Sequence, residues 1–249
     1  MRLGELDEPR RTVLDALVAT MDQPADALGR LLGVKGDALA AATAANQSVL
    51  TSGTRRAIDR YTGVLYGALD HASLPTAAKR RLGAQVLIAS GAFGLVAPGD
   101  PIPDYKLKMG AALPGLGKLS TWWRPHIDAA LGPLIARRTV WNLLPNEHAA
   151  AWSGADARTR EISVRFLDEV ERDGQRSLVM VSHWNKLLKG ALVRHVLINQ
   201  LSDPAGLGDF DHPQGYRYDP ALTEADGRHV TVSLVARRSG YASSEVARQ

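Results

Sequence analysis

The chain has 249 residues, of which 45% are hydrophobic and 22% are charged, and its formal net charge is +4. These values are typical of a globular protein with a sizeable core, and they allow a local phosphate-binding face but exclude histone-like coating of DNA. Because the chain has no cysteine, disulfides, thiolate metal sites and a cysteine nucleophile are also excluded.

The N-terminal stretch from Met1 to Arg11 has mixed charges and no apolar core of the kind found in signal peptides. No uninterrupted apolar segment approaches the length that crosses a bilayer. Together with the absence of cysteine, these features predict a cytoplasmic protein with no membrane partner.

Hydrophobic periodicity and turn residues predict the secondary structure in chain order. Helices are predicted at residues 8–21, 24–33, 37–46, 55–70, 75–83, 121–136, 146–152 and 182–201. Strands are predicted at 86–89, 140–144, 161–167, 177–182, 215–218 and 230–236, with a long loop at 90–117 and a hairpin turn at Asp173-Gly174. No repeat or linker interrupts the pattern, so we expect a single α/β (α+β) domain over residues 1–236. Its mixed sheet would be flanked by helices and followed by a polar tail, residues 237–249.

The most informative feature is the strand at 177–181 that leads directly into a basic helix beginning at Ser182. The amino end of a helix that follows a strand favours anions, through its free N–H groups and its dipole. Lys186 and Lys189 lie in the first turns of this helix, and Gly190 allows a close approach to the backbone. The pattern therefore predicts a site for phosphate or another anion.

A second junction of this kind places Glu147 in the first turn of a helix that follows the strand at 140–144. Glu147 could line the same crevice as Lys186 and act as a general base. The alternative is that its carboxylate only complements the helix dipole.

Three glycine-containing turns resemble the hairpins of DNA-binding helix-hairpin-helix elements. In the first, Gly91 and Gly94 would allow a tight turn whose N–H groups face a phosphate backbone, or would form a purely structural turn. The stretch 113–118 lacks the residues that a phosphate-binding loop requires and is interpreted as a surface turn. The stretch 32–36 between two predicted helices is interpreted as a helix C-cap.

Further candidate phosphate contacts are Lys106 and Lys108, which alternate with apolar Leu107 and Met109 along an extended segment. Tyr105 could stack on a base or donate a hydrogen bond, although a half-buried strand with a solvated lysine face explains the pattern equally well. Arg124, at a helix start, could also reach a phosphate.

Histidine spacing gives no indication of a metal site. The seven histidines form neither a His-x-His nor a His-Glu-x-x-His pattern, and no Gly-x-Ser-x-Gly elbow is present. We therefore expect no tightly bound metal and no cofactor.

Taken in order, several segments of the chain resemble those of the YaaA family of peroxide stress proteins. The likeness extends from about Glu8 to Ala236 and rests on the ordered set of motifs rather than on any single one. The matching segments are 61–66 (YTGVLY), 90–94 (SGAFG), 103–110 (PDYKLKMG), 123–125 (WRP), 140–143 (VWNL) with Glu147, and 182–194 (SHWNKLLKGALVR).

The resemblance implies a compact α/β domain with a mixed sheet and a helix-hairpin-helix-like element. It also implies a cytoplasmic protein that binds double-stranded DNA, with a preference for distorted or bubble-containing DNA, and that limits oxidative damage and free intracellular iron. The phosphate contacts expected on this basis are Lys106, Lys108, Arg124, Lys186, Lys189 and Arg194, with Gly91 and Gly94 in the hairpin.

The beginning of the chain departs from the family pattern. Family members usually begin with an apolar strand and a lysine-bearing loop, whereas this chain begins almost directly at its first predicted helix. Either the true start lies upstream or the strand is missing, and a missing strand would expose a sheet edge.

Two functional hypotheses remain open from the sequence. The first is a DNA-binding stress protein, expected to be a monomer, that reads DNA shape and backbone rather than base edges. The second is an enzyme acting on a nucleotide, nucleobase or similar anionic small molecule, with Lys186, Glu147 and Tyr105 as catalytic candidates. Convergence of those three side chains in one pocket would favour the enzyme, and basic residues spread over one face would favour DNA binding.

Overall fold

The computed structural model describes residues 1–156, 158–172, 174–181 and 184–237. Ser182 and His183 of the predicted helix start, Asp173 of the predicted hairpin and the predicted tail from 238 onward lie outside the described residues. The chain divides into two compact units. The first comprises Met1–Tyr61, Lys79–Ala136 and Leu144–Asp156; the second comprises Thr62–Ala78, Arg137–Leu143 and the described residues from 158 onward.

The helices and strands are numbered here in chain order. The helices are α1 (Asp7–Thr20), α2 (Ala25–Leu32), α3 (Gly36–Gln47), α4 (Ala57–Arg60), α5 (Val64–Leu69), α6 (Thr76–Gln85), α7 (Leu119–Ile135), α8 (Asn146–Ala149) and α9 (Asn185–Asn199). The strands are β1 (Arg55–Arg56), β2 (Ile88–Ser90), β3 (Gly94–Val96), β4 (Pro101–Ile102), β5 (Ala112–Leu113), β6 (Gly117–Lys118), β7 (Thr139–Asn142), β8 (Arg160–Arg172), β9 (Gln175–Met180), β10 (Tyr216–Asp226) and β11 (His229–Ala236).

The first unit is largely helical and is built around one hydrophobic core. The helical spacing predicted for α1 is confirmed, because Val13, Leu14 and Leu17 are all buried. The same core includes Trp123 of α7 and Phe93 from the turn between β2 and β3. Burial of such large side chains supplies most of the driving force for folding, at roughly 25 cal/mol per Å² of apolar surface.

The predicted long loop at 90–117 contains four short strands, β3 to β6, in addition to irregular segments. β2 and β3 pair as an antiparallel hairpin, and β5 and β6 pair as a second one. Pairing of this kind could not be read from the sequence, because each strand has only two or three residues and therefore no periodicity.

The turn at Gly91 and Gly94 joins two strands and is buried along its whole length. A Cβ at residue 91 would lie 2.7 Å from the carbonyl oxygen of Leu107, and Gly94 has a φ of +68°. The indole Nε1 of Trp123 donates a hydrogen bond of 2.8 Å to the carbonyl oxygen of Gly91. The predicted phosphate-facing role of these glycines is not confirmed, because both are enclosed by protein, and no helix-hairpin-helix element is confirmed at this turn.

We expect Gly91→Ala to destabilise the first unit by about 3 kcal/mol, because the added methyl group would press on backbone atoms that cannot move independently. The measurement is the free energy of unfolding from urea denaturation. Gly99→Ala is the matched control, since no atom lies within 4 Å of a Cβ built there. Equal stability of the two variants would show that the loop at Leu107 can retreat from the hairpin.

The second unit contains the mixed sheet that the sequence predicted. Its strand order is β10-β11-β8-β7, with β9 pairing along the far half of β8. β8 is parallel to β7 and β11, whereas β9 and β10 are antiparallel to their neighbours. Leu188 and Leu192 of α9 share a core with Ile162 and Phe166 of β8, so α9 packs on this sheet. Within the described residues β7 forms one edge of the sheet.

Several predicted elements differ in extent from those observed; for example, the strand expected at 161–167 is the longer β8, and the helix expected at 146–152 ends at Ala149. The helix expected at 55–70 is divided into α4 and α5, because Gly63 has a φ of +110° that a helix does not accommodate. The short strand expected at 215–218 is the beginning of the longer β10. β10 is longer than expected because it pairs with β11 along its length. This pairing could not be predicted from the local sequence pattern, which does not show which strands lie next to each other.

Candidate nucleic-acid interface

The connection between α2 and α3 is a tight turn of three residues. Gly33 has a left-handed conformation, with a φ of +67°, and its N–H donates to the carbonyl oxygen of Gly29 at 2.9 Å. This geometry confirms the predicted C-cap. Lys35 at the start of α3 is exposed, and its side chain does not cap the first N–H groups of that helix.

The extended segment 104–110 is held against α3 by one buried amide side chain. Asn46, which is 0% exposed, donates from Nδ2 to the carbonyl oxygen of Lys106 at 2.9 Å. The N–H of Lys106 donates to Asn46 Oδ1 at 2.8 Å. Leu107 is buried while Lys106 and Lys108 are exposed, so the predicted alternation is confirmed.

We expect Asn46→Ala to lower the free energy of unfolding by about 2 kcal/mol, because it leaves the Lys106 peptide without two partly buried hydrogen bonds. Gln47→Ala is the control, since Gln47 is an exposed neighbour in the same helix. Urea denaturation of both variants measures the effect. Equal stability of the two variants would contradict this expectation and would mean that water replaces both hydrogen bonds of the amide side chain with no loss in the free energy of unfolding.

Lys108 lies against the α2–α3 turn, where a Cβ at Gly33 would overlap its Nζ. Lys108 also lines a concave surface that borders a cavity of about 690 Å³. Arg30 of α2 and Glu147 of α8 line the same cavity. The segment 110–114, residues of α1 and α2, and Gln23 from the connection between these helices complete the lining. Helix residues and the 104–114 segment therefore meet at one concave, charged surface.

Glu147 is fixed on this surface by a backbone hydrogen bond. Its Oε1 accepts from the N–H of Gly110 at 2.6 Å, and a Cβ at residue 110 would lie 3.0 Å from the carboxyl group. The adjacent His148 is half-buried, and burial lowers its pKa although the charge of Glu147 opposes the shift. Glu147 therefore positions the 110–114 segment.

Four exposed cations lie on α2, at the start of α3 and on the 104–110 segment that packs against α3, and we call them the α2–α3 basic surface. They are Arg30, Lys35, Lys106 and Lys108. Within the described part of the chain none of the four forms an ion pair. Sequence reasoning identified Lys106 and Lys108 but missed Arg30 and Lys35, although both flank the glycine turn that was assigned only as a helix cap.

Tyr105 does not line the concave surface that contains Glu147. Its hydroxyl oxygen lies 2.7 Å from the Tyr61 hydroxyl and 2.7 Å from Ser90 Oγ. Burial raises the pKa of Tyr61. Tyr105 is therefore part of an internal hydroxyl network of the first unit.

Arg124, the third predicted phosphate contact of the first unit, donates to its own chain. Its Nε and Nη2 donate to the carbonyl oxygen of Ala150 at 3.0 and 2.7 Å. A guanidinium that binds one carbonyl through two N–H groups has fewer donors left for a phosphate. We assign Arg124 mainly to holding the segment that follows α8.

In the second unit, α9 carries the remaining predicted cations, and they differ in their surroundings. Lys186 is exposed. Lys189 is half-buried, its Nζ donates to the carbonyl oxygen of Leu143 at 2.9 Å, and burial lowers its pKa. Arg194 donates from Nη1 to the carbonyl oxygens of Leu69 and Asp70 at 3.1 and 2.9 Å, which caps the end of α5. Among these cations, Lys186 has its side chain most open to solvent.

The described residues contain no group of three or more histidine, aspartate and glutamate side chains arranged to hold a metal ion. None of the helices in these ranges combines the length and the apolar character that a membrane crossing requires.

Comparison with known proteins identifies the family. A family model described as "Peroxide stress protein YaaA" matches residues 5–222. A UPF0246 protein of Streptomyces coelicolor is 36% identical over 235 residues, which cover 92% of this chain and 86% of that protein. A UPF0246 protein of Corynebacterium glutamicum is 35% identical over 199 residues, covering 78% of this chain and 74% of that protein. The chain therefore belongs to the YaaA family of peroxide stress proteins, and the family name supports a role in peroxide stress.

Proposed function

We propose that this protein binds double-stranded DNA through the α2–α3 basic surface, as a cytoplasmic monomer, and thereby limits oxidative DNA damage. The observation that carries the proposal is a group of four exposed cations on α2, at the start of α3 and on the adjoining 104–110 segment, none of which forms an ion pair within the described part of the chain. Binding of such cations to phosphates releases condensed counterions, which supplies most of the sequence-independent affinity for DNA.

The start of α3 adds a second phosphate contact to the proposed surface. Lys35 immediately precedes the first N–H groups of α3, and its side chain does not cap them. Free N–H groups at a helix start bind phosphate oxygens, and the helix dipole favours the negative charge. Because contacts of this kind address the backbone, we propose recognition through DNA shape, with a preference for distorted or bubble-containing DNA.

Lower damage from free intracellular iron forms part of the same proposal. DNA covered by the protein would be shielded from oxidants that iron generates beside the phosphate backbone. Lys186 of α9 is retained as a proposed phosphate contact because it is exposed. Lys189 and Arg194 are assigned to their hydrogen bonds with backbone carbonyl oxygens.

The enzyme hypothesis has less support from the first unit. Glu147 lines the concave surface, whereas Tyr105 does not and is engaged with other hydroxyl groups. A catalytic base and its partner would have to reach the same substrate atoms. The exposed cations of the α2–α3 basic surface instead support DNA binding.

The experiment that tests the proposal is fluorescence anisotropy with labelled duplex, bubble-containing and single-stranded DNA over a series of salt concentrations. We expect micromolar or tighter binding to duplex DNA, which falls steeply as salt rises. Absence of binding at low salt would refute the proposal and make a screen of anionic small molecules the next step.

A further inference from the structure

Glu147 is unexpected on a surface proposed to bind phosphates. Its carboxylate lines the concave surface together with Arg30 and Lys108, which are two cations of the α2–α3 basic surface. A phosphate placed between these groups would be attracted by the two cations and repelled by the carboxylate. The concave surface beside Glu147 therefore fits a group that presents N–H donors next to an acceptor better than it fits a phosphate.

The carboxylate is held in one orientation. Oε1 accepts from the Gly110 N–H at 2.6 Å, and Gly110 packs directly against the carboxyl group. Oε2 makes no hydrogen bond within the described ranges of the chain. An ionised carboxylate has about four acceptor sites and no donor, so Glu147 presents acceptors that a ligand can occupy.

Among the four DNA bases, guanine matches this arrangement of charges. Its Watson–Crick edge carries two adjacent donors, N1–H and the N2 amino group, followed by the acceptor O6. Adenine and cytosine place a ring-nitrogen acceptor in the middle of that edge, and thymine flanks its single N–H with carbonyl oxygens. A carboxylate would be repelled by those acceptors, whereas it can accept both guanine donors side by side.

We propose that the concave surface holds one guanine when that base is unpaired, with Glu147 accepting from N1–H and N2–H. Lys108, which contacts a phosphate on the fully paired duplex, then donates to O6 instead. This inference rests on the proposed DNA binding and adds a specificity determinant to it. The volume of about 690 Å³ lies within the range of small-molecule sites and is ample for one nucleotide. A paired guanine has the same edge engaged with cytosine, so recognition requires a base that is already unpaired or turned out of the stack.

The test uses the full chain and fluorescence anisotropy with duplexes that carry a single bulged G, A, C or T, and with the fully paired duplex. We expect the wild-type protein to bind bulged G about tenfold more tightly than bulged T. Bulged inosine, which lacks the N2 amino group, is expected to lie between them.

Glu147→Gln is the decisive variant. Glutamine keeps an oxygen for the Gly110 N–H but turns an amino group toward the guanine donors. We expect it to bring the affinities for bulged G and bulged T within about twofold of each other, while binding of the fully paired duplex is kept. Glu8→Gln removes one negative charge from an exposed position on α1 that does not line the concave surface. This control should keep the preference for guanine.

The possible outcomes separate the two proposals. Equal wild-type binding of all bulges, or a guanine preference that survives Glu147→Gln, would overturn the base site while leaving DNA binding intact. Loss of the preference in Glu8→Gln as well would show a general charge effect and would also overturn it. Failure of the wild-type protein to bind any duplex would instead refute the proposed DNA binding itself.

Discussion

Replacing Lys106 and Lys108 together by alanine is expected to weaken duplex DNA binding about tenfold near 0.1 M salt and to reduce the log–log salt slope by about 2. Both side chains are exposed on the α2–α3 basic surface, and neither forms an ion pair among the described residues. Their loss removes two phosphate contacts, and each contact contributes close to one unit of slope. The fold should be unaffected, because the peptide of Lys106 is held by Asn46 and not by its own side chain.

Lys79→Ala/Arg80→Ala is the matched control for this variant. Lys79 and Arg80 are exposed cations of α6 that do not line the concave surface, and their replacement changes the net charge equally. Anisotropy titrations of both variants over a salt series distinguish a local contact from a general charge effect. Equal losses of affinity in the two variants would show that the α2–α3 basic surface has no special role.

Lys186→Ala/Lys189→Ala provides a second comparison, because these two lysines were the strongest candidates in the sequence. We expect a smaller loss of affinity than for Lys106→Ala/Lys108→Ala. The reason is that Lys189 already donates to the carbonyl oxygen of Leu143, and burial lowers its pKa. A larger loss of affinity than for Lys106→Ala/Lys108→Ala would indicate that α9, and not the α2–α3 basic surface, makes the main phosphate contacts.

Gly190→Ala is expected to reduce the free energy of unfolding by about 3 kcal/mol, although alanine is the better helix former. A Cβ at residue 190 would overlap the carbonyl oxygen of Leu65 and lie 2.9 Å from the Cβ of Ala68. Both of these residues belong to α5, which packs closely on α9 within the second unit. The added methyl group would therefore force the two helices apart.

Gly67→Ala is the matched control, since Gly67 is also a helical glycine of α5 but has no atom within 4 Å of a built Cβ. Helix propensity alone predicts that this variant is more stable than the wild type, by up to about 1 kcal/mol. Thermal and urea denaturation of both variants measure the difference. If Gly190→Ala were also stabilising, α5 would have to be loosely held against α9.

The glycines show which features of the fold can be predicted from the sequence and which cannot. At Gly190 it predicted that some group approaches the backbone closely, and the structure shows that this group is the Leu65 carbonyl oxygen rather than a ligand. At Gly91 and Gly94 it predicted a tight turn, and the turn is present but buried. A missing side chain can be read from the sequence, but the identity of the neighbour depends on the packing of distant segments.

By itself the sequence determined the amphipathic pattern of α1, the mixed character of the sheet, the alternation that exposes Lys106 and Lys108, and the family resemblance. These properties depend on local periodicity and on the order of motifs along the chain. Only the tertiary structure decided which cations remain available to a ligand. Arg124, Lys189 and Arg194 donate to backbone carbonyl oxygens, whereas Arg30 and Lys35 join the exposed surface at the α2–α3 turn. Such a carbonyl can lie far from the cation in sequence, so its pairing is created only when the chain folds.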